Sequence, residues 1–247
     1  MPDFHIKIAG HVAAVSAMFE STRDYCRNYL TQAPPEFSVA ICQEDLVFEQ
    51  QALDLEAQQE GMRQRTFTEP FLERTSIQRK VAESLIDYNV LLLHGSAVAV
   101  DGRGYLFTAK CGTGKSTHTR LWRQVLGSRA VMVNDDKPFV RILPDGVTVC
   151  GSPWSGKHGL DTNIAVPLAG ICVLRRGSEN RIYRADTQEA QAILLQQIPY
   201  IPHSTGQETA RFLVERLVSA VPLWQMECTK DPEAAQVCYQ AMNDHSI

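Results

Sequence analysis

Residues 105 to 117 read Tyr105-Leu-Phe-Thr-Ala-Lys-Cys-Gly-Thr-Gly-Lys-Ser-Thr117. The first four form a short apolar run that leads into the pattern G-x-x-x-x-G-K-[ST], in which Ala109 replaces the first glycine. Gly112 and Gly114 let the backbone turn tightly, so that its N–H groups point at an anion. The positive end of the helix that we expect to begin here faces the same anion. The stretch therefore predicts a strand, a phosphate-binding loop and a helix in succession.

The loop supplies the candidate nucleotide-binding residues, which are Ala109, Lys110, Cys111, Gly112, Thr113, Gly114, Lys115, Ser116 and Thr117. Lys115 offers a mobile positive charge to the outer phosphates, and the Ser116 hydroxyl offers a ligand to Mg²⁺. The residues that follow place an apolar stripe on one face of a helix that we expect to end at Gly127. This context disfavours the alternative, a glycine-rich turn with an accidental Lys-Ser pair.

The composition of the 247-residue chain is that of an ordinary soluble globular protein, with 44% apolar and 21% charged residues. A net charge of −4 gives no indication of nucleic-acid or membrane binding. No apolar run approaches the roughly 18 residues of a membrane span. The seven cysteines form no C-x-x-C pair, and the N-terminus shows no signal-peptide pattern. We therefore expect a cytoplasmic protein with reduced thiols.

The chain is predicted to contain a small α/β unit over residues 1–70 and a larger phosphate-loop domain over residues 71–247. Phe4, Ile6 and Ile8 alternate as in a half-buried strand, and residues 43–60 are typical of a surface helix. In the larger part, strands and helices come in mixed order, with hairpin signals such as Asp101-Gly102. We expect an α/β fold with a mixed β-sheet.

Two adjacent carboxylates, Asp135 and Asp136, follow the apolar run of residues 130–133. In phosphate-loop proteins, a carboxylate at a strand end completes the Mg²⁺ shell together with the loop hydroxyl. Of two neighbours, one can hold the metal while the other takes the proton of an attacking hydroxyl. An ordinary turn is the alternative, since Asp is common in turns.

Lys157 and His158 lie in a polar loop between Gly156 and Gly159. A mobile loop with a positive charge is able to close over a transferring phosphoryl group. An ordinary surface loop fits the pattern equally well. His94, which precedes Gly95-Ser96, fits contact with substrate or phosphate, but we favour a structural role for it. His118 is interpreted as packed or exposed.

Four segments together resemble the HPr serine kinase-like proteins of the phosphoenolpyruvate carboxykinase-like group of P-loop enzymes. They are His94-Gly-Ser96, residues 104–117, Asn134-Asp-Asp-Lys137 and Gly151-Ser-Pro-Trp-Ser-Gly-Lys-His158. The resemblance implies a mixed-sheet P-loop kinase core that binds ATP in the loop. It further implies that Asp135 acts as the base on a serine hydroxyl, and that Ser116 and Asp136 hold Mg²⁺.

The chain also departs from that family. The isoleucine- and glycine-rich segment that follows the Asp pair in the HPr kinases is replaced here by residues 153–158, and residues 1–70 do not match the N-terminal unit of those kinases. The phosphoryl acceptor therefore stays open between a serine in a peptide, free serine and another small hydroxyl compound.

We accordingly expect a kinase that uses ATP and Mg²⁺ and an alcohol acceptor, with Asp135, Lys157 and His158 as catalytic residues. The expected partners are a nucleotide and a hydroxyl-bearing small molecule or peptide, with neither nucleic acid nor membrane, and a homo-oligomer is left open. Two alternatives remain, a nucleotide-gated regulatory protein with slow ATP hydrolysis and a carboxykinase-type lyase.

Overall fold

The computed structural model describes residues 3–59, 61–109, 113–200 and 206–244. The chain divides into two compact units, Met1–Leu85 and Ile86–Ile247. This boundary differs from the expected one after residue 70, because the helix Glu69–Leu85 packs on helices and strands of the first unit. The six cysteines among the described residues are free thiols.

The first unit begins with a four-stranded sheet. Its elements in chain order are β1 (Asp3–Ile8), β2 (His11–Ser16), α1 (Glu20–Tyr25), β3 (Leu30–Thr31), β4 (Phe37–Ala40), α2 (Gln43–Gln59) and α3 (Glu69–Leu85). The strands lie in the order β3-β1-β2-β4, and only β2 and β4 run parallel. The predicted alternation in β1 is confirmed, since Phe4, Ile6 and Ile8 are all buried. Ala9 and Gly10 both have positive φ, as a tight hairpin turn requires.

The second unit contains nine strands and four helices among its described residues. In chain order they are β5 (Val90–Leu92), β6 (Ser96–Val100), β7 (Arg103–Thr108), α4 (Lys115–Leu126), β8 (Ala130–Asn134), β9 (Phe139–Leu143), β10 (Gly146–Cys150), β11 (Ala165–Arg176), β12 (Arg181–Arg184), α5 (Thr187–Leu195), α6 (Gly206–Ala220), β13 (Leu223–Cys228) and α7 (Pro232–Asn243). No helix in the described parts of the chain is both long and apolar enough to cross a bilayer.

The strands of this unit form one mixed sheet, which confirms the predicted α/β fold with a mixed β-sheet. Seven strands follow the order β5-β9-β10-β11-β7-β6-β8, while β13 pairs with β11 and β12. The strands β7 and β13 run parallel to β11, and the other pairings are antiparallel.

The twelve residues of β11 join two parts of this sheet. Its first residues pair with β10, and Leu168 to Val173 pair with β7. The end of the strand, Ile171 to Arg176, pairs with β13 on the other side. The strand β7 is therefore held between β6 and β11.

Two apolar cores cover β7 from opposite faces. Tyr105 and Phe107 pack in a cluster with Trp122 of α4 and with residues of α7. Leu106, which points the other way, packs in a cluster that contains residues of α5 and α6. This burial on both faces fixes the position at which β7 ends and α4 can begin.

Candidate active site

The turn between β7 and α4 brings a buried lysine to the start of the helix. Gly114 takes the N-cap position with a φ of 117°, which favours glycine, and α4 begins at Lys115. The Lys115 side chain is buried, and its Nζ donates a hydrogen bond to the carbonyl of Ala109 over 3.3 Å. The predicted loop residues Lys110, Cys111 and Gly112 lie outside the described residues.

In the described part of the chain, neither the N-cap nor the first turn of α4 supplies an anion. No side chain of the N-cap residue accepts a hydrogen bond from the helix, and the first turn contains no acidic residue. The helix dipole and the Lys115 ammonium therefore add their positive charges at one place. Ser116, the next residue, is exposed. The chemistry of this end suits a phosphate with a bound cation.

Asn134 holds the backbone of the turn that carries the two carboxylates. It is fully buried, and its Oδ1 accepts hydrogen bonds from the backbone N–H groups of Asp136 at 2.9 Å and Lys137 at 2.7 Å. Its Nδ2 donates to the carbonyl oxygens of Ser152 and Trp154, at 3.0 and 3.3 Å. An asparagine that bonds the backbone two and three residues on is a typical turn residue. This role was not predicted, although the Asn directly before the Asp pair was its signal in the sequence.

Asp135 is the buried member of the pair, with 4% of the residue exposed. Its Oδ1 accepts a hydrogen bond of 2.6 Å from the backbone N–H of Gly156. Burial raises the pKa of the Asp135 carboxyl above its usual value, and the charge of Asp136 raises it further. The Gly156 N–H and the neighbouring His158 oppose this rise. A held carboxylate with a raised pKa is suited to accept a proton.

The glycine at position 156 allows this close contact. A Cβ built there would lie 3.2 Å from the Cβ of Asp136 and 3.3 Å from both carboxylate oxygens of Asp135. Any larger residue would crowd the pair, so the loop of residues 152–159 and the carboxylates are fitted to one another.

Asp136 lies in a more open position. About a third of its side chain, 34%, is exposed, and its Oδ1 lies 3.5 Å from Nε2 of His94. The backbone carbonyl of Asp136 accepts a hydrogen bond from the Gly95 N–H over 2.9 Å. His94 therefore lies beside the Asp pair in the site, although a structural role was the favoured interpretation.

A single cavity of about 750 Å³ gathers most of the predicted residues. It is lined by Gly114, Lys115, Ser116, Thr117, Asp135, Asp136, Lys157 and His158. Ala109 and Thr113 are not part of its lining, although Ala109 bonds Lys115. The side chains of Lys157 and His158 are exposed. The structure thus brings the loop helix, the Asp pair and the Lys-His loop to one space.

The same cavity is lined by residues that the sequence analysis did not select. His94, Arg120, Arg123 and Met132 are among them. Arg120 and Arg123 follow Ser116 by four and seven residues, a spacing that places all three on one face of α4. That spacing was the available signal, but it does not by itself distinguish a cavity wall from a solvated face.

His118 lies outside the cavity lining, in the apolar core beneath α4. Its Nε2 accepts a hydrogen bond of 3.1 Å from the Trp122 indole, and its ring meets the edge of Phe107. Burial lowers the pKa of His118 to about 4. The packing interpretation of this histidine is confirmed.

Comparisons with known proteins give distant likenesses to solved structures. No family model matches the chain, and no curated protein matches it significantly. Among solved structures, it is similar to the HPr(Ser) kinase/phosphatase from Coxiella burnetii, with a TM-score of 0.38 and 11% identity. The match covers 62% of this chain and 89% of that one. A likeness at this level carries no functional argument, so the function below rests on the residues of the cavity.

Proposed function

We propose that the chain binds ATP with Mg²⁺ in this cavity and transfers the terminal phosphoryl group to a hydroxyl acceptor. One observation carries the proposal: the uncapped N-terminus of α4, with its buried Lys115, shares a cavity with the buried carboxylate of Asp135. The first feature binds an anion and the second accepts a proton. Phosphoryl transfer needs both groups in fixed positions and little other chemistry from the protein.

The nucleotide phosphates would be held by Lys115 and by the backbone N–H groups of the first turn of α4. Ser116 and Asp136 offer oxygen ligands on the cavity wall, which is the ligand type that Mg²⁺ prefers. The metal usually takes few protein ligands and fills its remaining positions with phosphate oxygens and water. When bound, it would neutralise charge on the phosphates.

In the proposed reaction, the acceptor oxygen forms a bond to the terminal phosphorus. The bond between that phosphorus and its bridging oxygen breaks, and the electron pair leaves with ADP. The proton of the acceptor hydroxyl passes to Asp135, which later releases it to solvent. The Gly156 N–H holds the Asp135 carboxylate in place for this step. The products are ADP and the phosphorylated acceptor.

Lys157 and His158 are proposed to close over the transferring group. Both side chains line the cavity while remaining exposed, and Gly159, with a φ of 60°, ends the turn that carries them. A lysine brought to the phosphoryl oxygens would stabilise the charge that they carry during transfer.

The test uses γ-labelled ATP, Mg²⁺ and a cell extract separated by size into metabolites and proteins. We expect label in one fraction with the wild-type chain and none with Lys115→Ala. Asp135→Asn should bind nucleotide normally and lower transfer by about 10²- to 10⁴-fold, because the base is lost. Near-normal turnover by Asp135→Asn would refute the assignment of the base.

The remaining outcomes identify the alternatives. Label found only in free phosphate, at a slow rate that no extract fraction changes, would indicate a nucleotide-gated regulatory protein. Decarboxylation of oxaloacetate with Mn²⁺ would indicate the carboxykinase-type lyase. Either result would overturn the kinase proposal.

A further inference from the structure

The cavity continues beyond the catalytic residues between α4 and β8. The short turn Gly127–Arg129 reverses the chain, so that β8 returns alongside α4 and ends near the start of the helix. Arg120 and Arg123 lie about 6 and 10 Å along the helix axis from Ser116, at 1.5 Å per residue. Met132 lies two residues before the end of β8, and all three residues line the same cavity. The groove therefore runs from the phosphate end of α4 towards two arginines.

The charge of the lining is opposite to that of the chain as a whole. Lysine and arginine occur at four lining positions, which are Lys115, Arg120, Arg123 and Lys157, while carboxylates occur at two, Asp135 and Asp136. The chain itself has a net charge of −4. An excess of positive charge in a cavity of an acidic protein favours anionic ligands there.

The two arginines are not engaged elsewhere. Neither the Arg120 nor the Arg123 side chain forms an ion pair or hydrogen bond with another residue in the described ranges. Other surface arginines do form such pairs, for example Arg129 with Asp101 and Arg175 with Glu189. Arg123 is also partly buried. A guanidinium in this position has all its donors available for an anion in the groove.

The other wall of this part of the groove is apolar. Met132 is buried in the sheet edge and Leu160 is partly buried, and both line the cavity with the arginines. An apolar wall beside a pair of guanidinium groups suits a short carbon skeleton that ends in a carboxylate or a phosphate.

We propose that the phosphoryl acceptor is a small hydroxyl compound that carries a carboxylate or phosphate group, and that Arg120 and Arg123 bind this group. Its carbon skeleton lies against Met132, and its hydroxyl reaches Asp135 at the other end of the groove. The inference rests on the proposed function and adds the class of its acceptor. Hydroxy acids and hydroxyalkyl phosphates are the compounds of this class, because each carries a hydroxyl and an anionic group on one carbon skeleton.

The experiment measures binding by calorimetry to the chain already saturated with a non-hydrolysable ATP analogue and Mg²⁺. The probes are two matched pairs, N-acetyl-L-serine with its amide and glycerol 3-phosphate with glycerol. We expect the anionic member of at least one pair to bind about tenfold tighter or more, since charge-assisted hydrogen bonds to arginine are strong. The pair that shows the preference distinguishes a carboxylate from a phosphate.

The variant Arg120→Gln/Arg123→Gln should lose this preference and keep its affinity for the ATP analogue within about twofold. Arg211→Gln is the matched control, because Arg211 is an exposed arginine of α6 outside the cavity lining. It should keep the wild-type preference. In turnover assays with a probe that the wild-type chain phosphorylates, the double variant should show a raised KM for that probe and little change in KM for ATP.

Three results would overturn the inference. The first is equal affinity of the wild-type chain for both members of both pairs. The second is a double variant that loses affinity for the ATP analogue instead, which would show that the groove holds the nucleotide and would leave the kinase proposal standing. The third is a wild-type chain that does not bind the analogue at all, which would refute the proposed function together with the inference.

Discussion

The helices α1 and α4 begin in opposite ways. At α1, the carboxylate of Glu73, fully buried on α3, accepts hydrogen bonds from the backbone N–H groups of Met18 and Phe19 and from the hydroxyl of Thr22. At α4, the N-cap residue is a glycine without a capping side chain, the first turn has no acidic residue, and a buried lysine is present instead. The start of α1 is closed by a carboxylate of the same unit, and we call it the closed end. The start of α4 is left positive, and we call it the open end.

The physical requirement is the same at both ends. The first N–H groups of a helix have no partner within it, and the helix dipole makes that end favourable for negative charge. At α1 the fold supplies the anion, so the arrangement contributes to stability. At α4 the N-cap and first turn supply no anion and Lys115 adds positive charge, so the arrangement favours an anionic ligand. A helix start that lacks its own anion and faces a cavity therefore indicates binding, whereas a filled one indicates stability.

The largest expected effect is at the open end. Lys115→Ala should lower phosphoryl transfer by about 10³-fold or more, because the charge that holds the outer phosphates is lost. Its free energy of unfolding should fall by only about 1 kcal/mol, because the variant loses the hydrogen bond from Lys115 to the Ala109 carbonyl. Labelled-ATP transfer and urea unfolding measure the two quantities. A Lys115→Ala chain with much lower stability and normal phosphoryl transfer would show that Lys115 serves stability and not phosphate binding.

At the closed end we expect the opposite result, a large effect on stability and a small effect on nucleotide binding. Glu73→Ala should lower the free energy of unfolding by about 3 kcal/mol, since the N–H groups of Met18 and Phe19 and the Thr22 hydroxyl lose their acceptor in a buried place. Nucleotide affinity should stay within about twofold of wild type. Urea unfolding provides the measurement, with Glu56→Ala as control, because Glu56 is an exposed carboxylate on α2. Equal stabilities of the two variants would show that Glu73 does not close the helix end.

A third prediction concerns the support beneath the open end, where His118 is buried. Its pKa falls from the ordinary 6.5 to about 4 on folding because of burial. As pH falls from 6.5 through about 4, the unfolded chain takes up this proton before the folded one does, so stability present above pH 6.5 is lost. The loss should reach about 2–3 kcal/mol at pH 4.5, at 1.36 kcal/mol per pKa unit.

His118→Phe tests this assignment. Unfolding by urea at pH 7 should show a lower stability than wild type, because the Trp122 indole loses its acceptor. Between pH 7 and pH 4.5, however, the variant should lose less stability than the wild-type chain. The same pH dependence in both proteins would exclude His118 as its source.

The smallest effect is expected from closing the open end artificially. Thr117→Glu places a carboxylate in the first turn of α4 and should raise the free energy of unfolding by about 0.5 kcal/mol. The same charge should weaken nucleotide binding, because it occupies the place of the phosphates. Gln124→Glu puts an identical charge at an exposed position near the other end of the helix and should not stabilise it. A Thr117→Glu chain that binds nucleotide more tightly would argue against a phosphate at this end.

Local patterns were enough to predict the elements around the site. The strand β7, the start of α4 and the Asp pair after β8 follow from runs of fewer than twenty residues, where hydrophobic period and turn residues are informative. The mixed sheet also followed, because its hairpin signals lie between adjacent strands. The fold class was therefore accessible without any long-range information.

The remaining features depend on contacts between distant segments. The bond between Gly156 and Asp135 joins residues 21 positions apart, and the approach of His94 to Asp136 depends on the pairing of β6 and β8. The unit boundary after Leu85 also depends on contacts between distant segments. The apolar residues of α3 predict that one face of the helix is buried, but not which unit buries it. The strand β12 was missed because it is a short edge strand with mostly exposed residues.

The long strand β11 has a consequence for the order in which the protein takes shape during synthesis. The strand β7 is complete at Thr108, but its second neighbour begins only at Ala165, and β13, which flanks that neighbour, begins at Leu223. A nascent chain that has been synthesised only as far as the phosphate loop therefore lacks β8 to β13, six of the nine described strands of the unit. We therefore expect nucleotide to bind and stabilise the chain only when its synthesis is nearly complete. Until β11 is synthesised, one edge of β7 is unpaired and is a site that chaperones are expected to bind.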